Sequence, residues 1–221
     1  RVVATMSRSN FERHAPKFID PAVSLKDKLQ LATEEVRDKI EIVHTSEYQN
    51  FLKAYFPVFQ QLLLETKPQS TETVEHKLRN VLLEILNRLP HNEVLRPYVL
   101  DLIQLSMTVL QTDNEENAHI CLRTIFDLHK NFRPSLETEV QPFLDFVCEI
   151  YKGFKDTVVH FFGTASVLPA GTMVDPSGGG YTGAARPEQL TTSQCSFKVV
   201  TECPLIVMFL FQLYPRHIQH N

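Results

Sequence analysis

His217 and His220 stand three residues apart, a spacing at which two imidazoles on one helix face can share a metal ion. No carboxylate or cysteine joins them nearby, so the pair reads as a solvated helix end. Gly178-Gly-Gly-Tyr-Thr-Gly183 has the glycine density of a loop that cradles phosphate. It lacks the Lys-Ser/Thr of a Walker motif and no strand precedes it, so it reads as flexible linker. His119, His129 and His160 have no adjacent serine or cysteine in an elbow motif, which leaves nucleophilic catalysis without a candidate. Glu34-Glu35 and Glu115-Glu116 are paired carboxylates. Their helix positions explain them as a solvated face and as charge at a helix N-terminus, where the dipole favours acids. Kinase signatures are missing from the chain. The expectation is no catalytic, cofactor-binding or metal-ligating residue, and a protein that offers interaction surface rather than an active site.

The four cysteines, Cys121, Cys148, Cys195 and Cys203, are too few and too scattered for a disulfide framework, and no pair has Cys-x-x-Cys spacing. Cys121 and Cys148 fall on or beside apolar stripes, where a free thiol acts as a small hydrophobe. With no Asn-x-Ser/Thr acceptor and no secretory leader, the expected setting is reducing and intracellular. The composition, 43% hydrophobic and 22% charged, excludes wholesale disorder. A net charge of −4 gives no global attraction to a phosphate backbone, so no direct nucleic-acid contact is expected. The longest apolar run, residues 205–211, is far short of the ~20 residues of a membrane-spanning helix, so no membrane partner is expected either. Six of the seven glycines lie between residues 163 and 183, which leaves the remainder free to form long helices.

The elements are helices throughout. Ser24 caps a segment whose apolar positions Leu29, Ala32, Val36, Ile40 and Val43 step by three or four. Ser46-Glu-Tyr-Gln49 reads as a capping box opening a helix over 48–65, with Pro57 as a bend. A third helix follows Thr71, with Val74, Leu78, Val81, Leu82, Ile85, Leu86 and Leu89 on one side. Over residues 95–111 the polar positions Asp101, Gln104, Thr108 and Gln111 form a narrow stripe, as expected of a helix sandwiched between neighbours. Asp113 and Glu116 read as a capping pair for the next helix, with His129, Lys130 and Arg133 as the bases at its end. Thr138-Glu-Val-Gln141 opens the last clear helix. The best strand candidate is 196–200, and it stands alone.

Leu95-Arg-Pro97 recurs as Phe132-Arg-Pro134, and prolines 57, 97 and 134 mark intervals near the ~40-residue period of HEAT-type helix pairs. One such pair cannot bury its own apolar face, so the expected fold is all-α: a HEAT-like α-solenoid of antiparallel helix pairs with one long disordered insertion. A compact six- or seven-helix bundle is the alternative. The expected organisation is a disordered N-terminus over 1–9 and HEAT-like repeats over 10–162. A flexible low-complexity insertion follows over 163–203, and 204–221 is the truncated start of a further repeat. The chain begins at Arg1 and stops at Asn221 after a strongly apolar segment, and so reads as a piece of something longer. Ile206 and Phe209 are expected on an uncovered surface apart from the upstream core.

The run His76-Lys-Leu-Arg-Asn-Val-Leu-Leu-Glu-Ile-Leu-Asn-Arg-Leu-Pro-His-Asn-Glu-Val-Leu-Arg-Pro97 is distinctive. So are Asp113-Asn-Glu-Glu-Asn117, Cys121-Leu-Arg-Thr-Ile-Phe-Asp-Leu-His-Lys-Asn-Phe-Arg-Pro134 and Phe143-Leu-Asp-Phe-Val-Cys-Glu-Ile-Tyr151. Together they resemble the extreme N-terminal region of the transformation/transcription domain-associated protein (TRRAP) family. The wording is most similar to plant-type members, in which Met6 would be a natural start, a reading that leaves Arg1–Thr5 unexplained. The resemblance covers residues 10–155 and resumes over 203–214. It implies a giant HEAT-repeat scaffold that ends in a kinase-like domain without catalytic residues. It also implies a nuclear subunit shared by SAGA-type and related histone acetyltransferase complexes, with transcriptional activators and complex subunits as protein partners. No small-molecule substrate or cofactor is implied, and no functional residue is carried over. An α-solenoid adaptor in nuclear transport or vesicle trafficking would show the same helical periodicity.

Overall fold

The computed structural model describes residues 10–44, 46–69, 72–163 and 197–218. A helical turn over 10–14 runs into a 3₁₀ turn, Ala15–Phe18. Helix α1, Leu25–Leu31, follows and is capped by Ser24, whose hydroxyl accepts from the Asp27 N–H at 3.1 Å. The helical path continues through a π turn (Ala32–Val36) and a 3₁₀ stretch (Arg37–His44). Then come α2 (Tyr48–Glu65), α3 (Val74–Asn87), α4 (Val99–Thr112), α5 (Glu115–Asn131), α6 (Val140–Gly163) and α7 (Phe197–Leu213). A short turn of helix, Pro215–Ile218, ends the described chain. No helix among the described residues is long and apolar enough to cross a membrane.

The helices stack in two layers. In one, α1 packs on α3, α3 on α5 and α5 on α7; in the other lie α2, α4 and α6, each paired with the helix that follows it. The closest pair, α4 and α5, is joined by Asp113 and Asn114 alone, which forces the two helices antiparallel. The fold is therefore an all-α solenoid of antiparallel helix pairs. Its repeat is visible in the side chains. Asn80 Nδ2 donates to Asn117 Oδ1 and Thr124 Oγ1 donates to Asn87 Oδ1, and both bonds span 37 residues between α3 and α5. The two Arg-Pro pairs play equivalent parts, each opening a 3₁₀ turn (Arg96–Tyr98, Arg133–Glu139) that leads into α4 or α6. Leu95 and Phe132 are buried just before them.

Helix α4 has the expected cross-section, with Asp101, Gln104, Thr108 and Gln111 exposed and Leu102, Ile103, Leu105, Val109 and Leu110 buried. Several local expectations are corrected. The strand proposed for 196–200 is instead the first turn of α7, with Val199 and Val200 buried against neighbouring helices. The same helix overrides the expected limit of the insertion at 203, because Phe197–Cys203 is already helical. The rest of that insertion, 164–196, and the N-terminus 1–9 lie outside the described residues. The box at Ser46 does not form; Glu47 is the N-cap of α2 and its carboxylate accepts from the Asn50 side-chain amide. Thr138 sits within a 3₁₀ turn and does not open α6, and Val74 lies on the exposed side of α3.

Pro204 sits inside α7, where it lacks the N–H that would bond to the carbonyl of Val200. That carbonyl accepts instead from the Tyr151 hydroxyl of α6 at 2.7 Å. The defect in one helix thus becomes a tie to the next.

Candidate functional site

Among the described residues, those whose types could do chemistry are not brought together. Glu35 pairs with Lys39 at 2.6 Å and Glu34 accepts from Gln30, both on the surface of the first helical segment. Glu116 lies 3.4 Å from His76, and His119 Nδ1 lies 3.0 Å from the Glu202 carboxylate, off the line of a hydrogen bond. Cys121 and Cys203 are buried, and burial pushes both thiols up, that of Cys203 to about 12; Cys148 is exposed. Gly178–Gly183, Cys195 and His220 lie outside the described residues, as do the side chains of His160 and His217. Among the described residues no three of His, Cys, Asp and Glu are grouped to hold a metal.

The polar groups that do converge are structural. Arg79 of α3 is 2% exposed and the Asp113 carboxylate is 0% exposed. Arg79 Nε and Nη2 both donate to Asp113 Oδ2, at 2.9 and 2.7 Å. Its Nη1 donates to the Leu63 and Thr66 carbonyls and to Thr66 Oγ1, at 2.7, 2.9 and 2.7 Å. One guanidinium thereby ties the end of α2 to the α4–α5 turn. Asp113 is consequently not the helix cap expected from sequence. The cap is Asn114, whose Oδ1 accepts from the Asn117 N–H at 3.0 Å. The signal for Arg79 is a lone charge on a stripe otherwise built from Leu78, Leu82, Ile85 and Leu86.

His129 was expected as a base at the end of α5, and it is instead fully buried. Tyr214, just after α7, donates its hydroxyl to the Arg133 carbonyl at 2.9 Å, so His129 Nδ1–H is the donor in its 2.9 Å bond to the Tyr214 oxygen. This tautomer leaves Nε2 as a buried acceptor without a partner among the described residues. Burial holds the imidazole neutral, with its pKa lowered to about 4. The unfolded chain binds a proton here from about pH 6.5 downward, while the folded chain does not until about pH 4. Stability contributed by neutral His129 is therefore complete above about 6.5 and declines as the pH falls toward 4, by up to about 3 kcal/mol. Urea unfolding of the wild type should weaken between pH 7 and 4.5. His129→Leu should flatten part of that slope, and an unchanged slope would show that His129 titrates normally. His14 and His91, also held below the ordinary value by burial, act in the same direction.

Among the described residues, two grooves and one exposed helix face stand out. A polar groove of about 370 Å³ lies between α1, α3 and the start of α5. Lys77 there pairs with Glu72 at 3.8 Å, and the His76 imidazole lies 3.4 Å from the Glu116 carboxylate. An apolar groove of about 410 Å³ lies between residues 10–19 and α2, floored by Phe11, Ala15, Pro16, Ile19, Ala54 and Val58. On α7, Leu205, Met208 and Phe211 are exposed, at 68%, 61% and 44%. The expected exposure of Ile206 and Phe209 is corrected. Ile206 is 7% exposed, and the Phe209 ring lies 4.3 Å from that of Phe126 on α5.

A comparison with protein-family models finds no match. Individual relatives are clear. The chain is 47% identical over 154 residues, 69% of its length, to a probable transcription-associated protein 1 of Dictyostelium discoideum. It is 36% identical over 204 residues, 85% of its length, to the transformation/transcription domain-associated protein of Homo sapiens. The chain belongs to the transcription-associated protein family. Members of this family are far longer: the chain spans 3% of the Dictyostelium relative and 5% of the human one. A family member from Saccharomyces cerevisiae, 25% identical over 92% of the chain, is named as a subunit of the SAGA complex and the NuA4 acetyltransferase complex.

Proposed function

We propose that this chain is part of a large non-catalytic scaffold subunit of SAGA-type and related histone acetyltransferase coactivator complexes. It acts in the nucleus through contacts with transcriptional activators and other subunits, and it makes no direct contact with nucleic acid, membrane or small-molecule substrate. The observation that carries this reading is the relation to the yeast SAGA/NuA4 subunit across 92% of the chain. The stacked helix pairs are in keeping with it, since a solenoid presents long surfaces to partners. Affinity purification of the full-length protein followed by mass spectrometry should recover acetyltransferase subunits. Recovery of nucleoporins or vesicle-coat proteins in their place would favour a transport or trafficking adaptor.

A further inference from the structure

We propose that the apolar groove between residues 10–19 and α2 docks an amphipathic helix from a partner protein. The helix seats its apolar side chains on Ile19, Ala54 and Val58, with a basic residue over Glu12 and an acidic one over Lys53. The inference deepens the scaffold reading and rests on it only for the source of the helix.

The groove exists because both facing elements place a small residue there. At the next junction in the same layer, between α2 and the entry to α4, the gap is filled by Phe56 and Tyr98, whose rings lie 5.0 Å apart. At the first junction Ala15 and Ala54 are among the lining residues, and the space stays open. It is also preformed. Phe11 packs edge-on against Phe51 and Tyr55 at 5.7 and 5.6 Å, and Phe18 against Phe59 at 5.1 Å, so the 10–18 segment is clamped from beneath. A clamped wall does not have to be ordered on binding, which removes a usual cost. At about 410 Å³ the site has room for apolar anchors of the kind a helix delivers one turn apart.

Charge decides the flanks. In the polar groove on the other layer, Lys77 is paired with Glu72 and Arg37 with Asp38. Glu12 and Lys53 stand on opposite walls of the apolar groove, and neither has an ion-pair partner among the described residues. A symmetrical hydrophobic plug would leave both without a counter-charge, whereas a helix with one acid and one base beside its apolar stripe satisfies both.

The test uses the full chain and a fluorescein-labelled, stapled helical peptide with the core Leu-Glu-Ala-Lys-Leu. That order places the two leucines on one face, the glutamate on one flank and the lysine on the other. The peptide should bind saturably to the wild type and at least about tenfold more weakly to Lys53→Glu. A peptide with lysine on both flanks should recover about that tenfold on Lys53→Glu. Ala54→Trp, which fills the groove, should abolish binding, and circular dichroism confirms the fold of each variant; Lys53 is exposed, so its reversal carries the test alone if Ala54→Trp misfolds. Absence of binding at millimolar peptide, or binding indifferent to Lys53→Glu, overturns the proposal. Self-association of the chain that Ala54→Trp removes would put a second copy in the groove and overturn it too. Failure of the peptide to bind, while acetyltransferase subunits still co-purify with the full-length protein, would sink the groove and leave the scaffold reading intact.

Discussion

Replacing Asp113 with alanine should destabilise the fold by about 3–5 kcal/mol, a large part of the 5–15 kcal/mol that holds a typical domain together. The size follows from what is left behind. The Arg79 guanidinium is 2% exposed and gives two of its donors, Nε and Nη2, to Asp113 Oδ2. Without that carboxylate a full positive charge stays buried with only the Leu63 and Thr66 oxygens for company. Thr66 ends α2 and Asp113 ends α4, so the loss is felt across three helices at once. Asp113 Oδ1 also accepts from the Asn114 N–H at 2.8 Å, which adds an unsatisfied donor. Asp113→Ala combined with Arg79→Met should recover much of the loss, since the double variant buries neither charge. Urea unfolding of the two single variants and the double variant measures this coupling. A loss under about 1 kcal/mol for Asp113→Ala would mean that water reaches the pair and that the tie between α2, α3 and the α4–α5 turn lies elsewhere.

Much of this architecture was legible in the sequence because helices announce their buried faces at short range. The stripe Asp101, Gln104, Thr108 and Gln111 lies on the surface as its spacing requires, and Ser24 caps the helix it precedes. What failed was whatever depended on a residue far along the chain. Asp113 and Asn114 are equally good caps by type, and only Arg79, 34 positions upstream, decides which carboxyl or amide oxygen is free for the helix. His129 reads as a helix-end base until Tyr214, 85 positions away, closes over it. Val199-Val200 are β-branched and form a short apolar run, a pattern that suits a strand or a buried helix equally; packing settled it as helix. The groove was invisible for a different reason. Its signal is the smallness of Ala15 and Ala54, and a missing side chain leaves no pattern in a single sequence.

The second large expected effect is a sharp difference in cost between neighbouring residues on α7. The segment 205–211 is so uniformly apolar that periodicity has no polar partner within it against which to set its phase, and sequence alone cannot tell its two faces apart. The fold does. Ile206 and Leu210 turn inward against α5 and α6, and the Phe209 ring meets Phe126. Leu205 and Met208 turn to water. Ile206→Glu should therefore cost about 3–5 kcal/mol, combining the loss of about 1.5–3 kcal/mol of apolar burial with the penalty for placing a carboxylate among hydrocarbon. Phe209→Glu, at a half-buried position, should cost less but in the same direction. Leu205→Glu with Met208→Glu should change stability by under about 1 kcal/mol in sum, since substitutions at exposed sites have small effects. The same pair should lower any concentration-dependent association, because it breaks the exposed apolar stripe. Thermal unfolding and sedimentation velocity on the three variants separate the faces. If Ile206→Glu melts with the wild type while the Leu205/Met208 pair unfolds, α7 is rotated by about half a turn from the arrangement described, and the bond from Tyr151 to the carbonyl freed by Pro204 cannot be what fixes it.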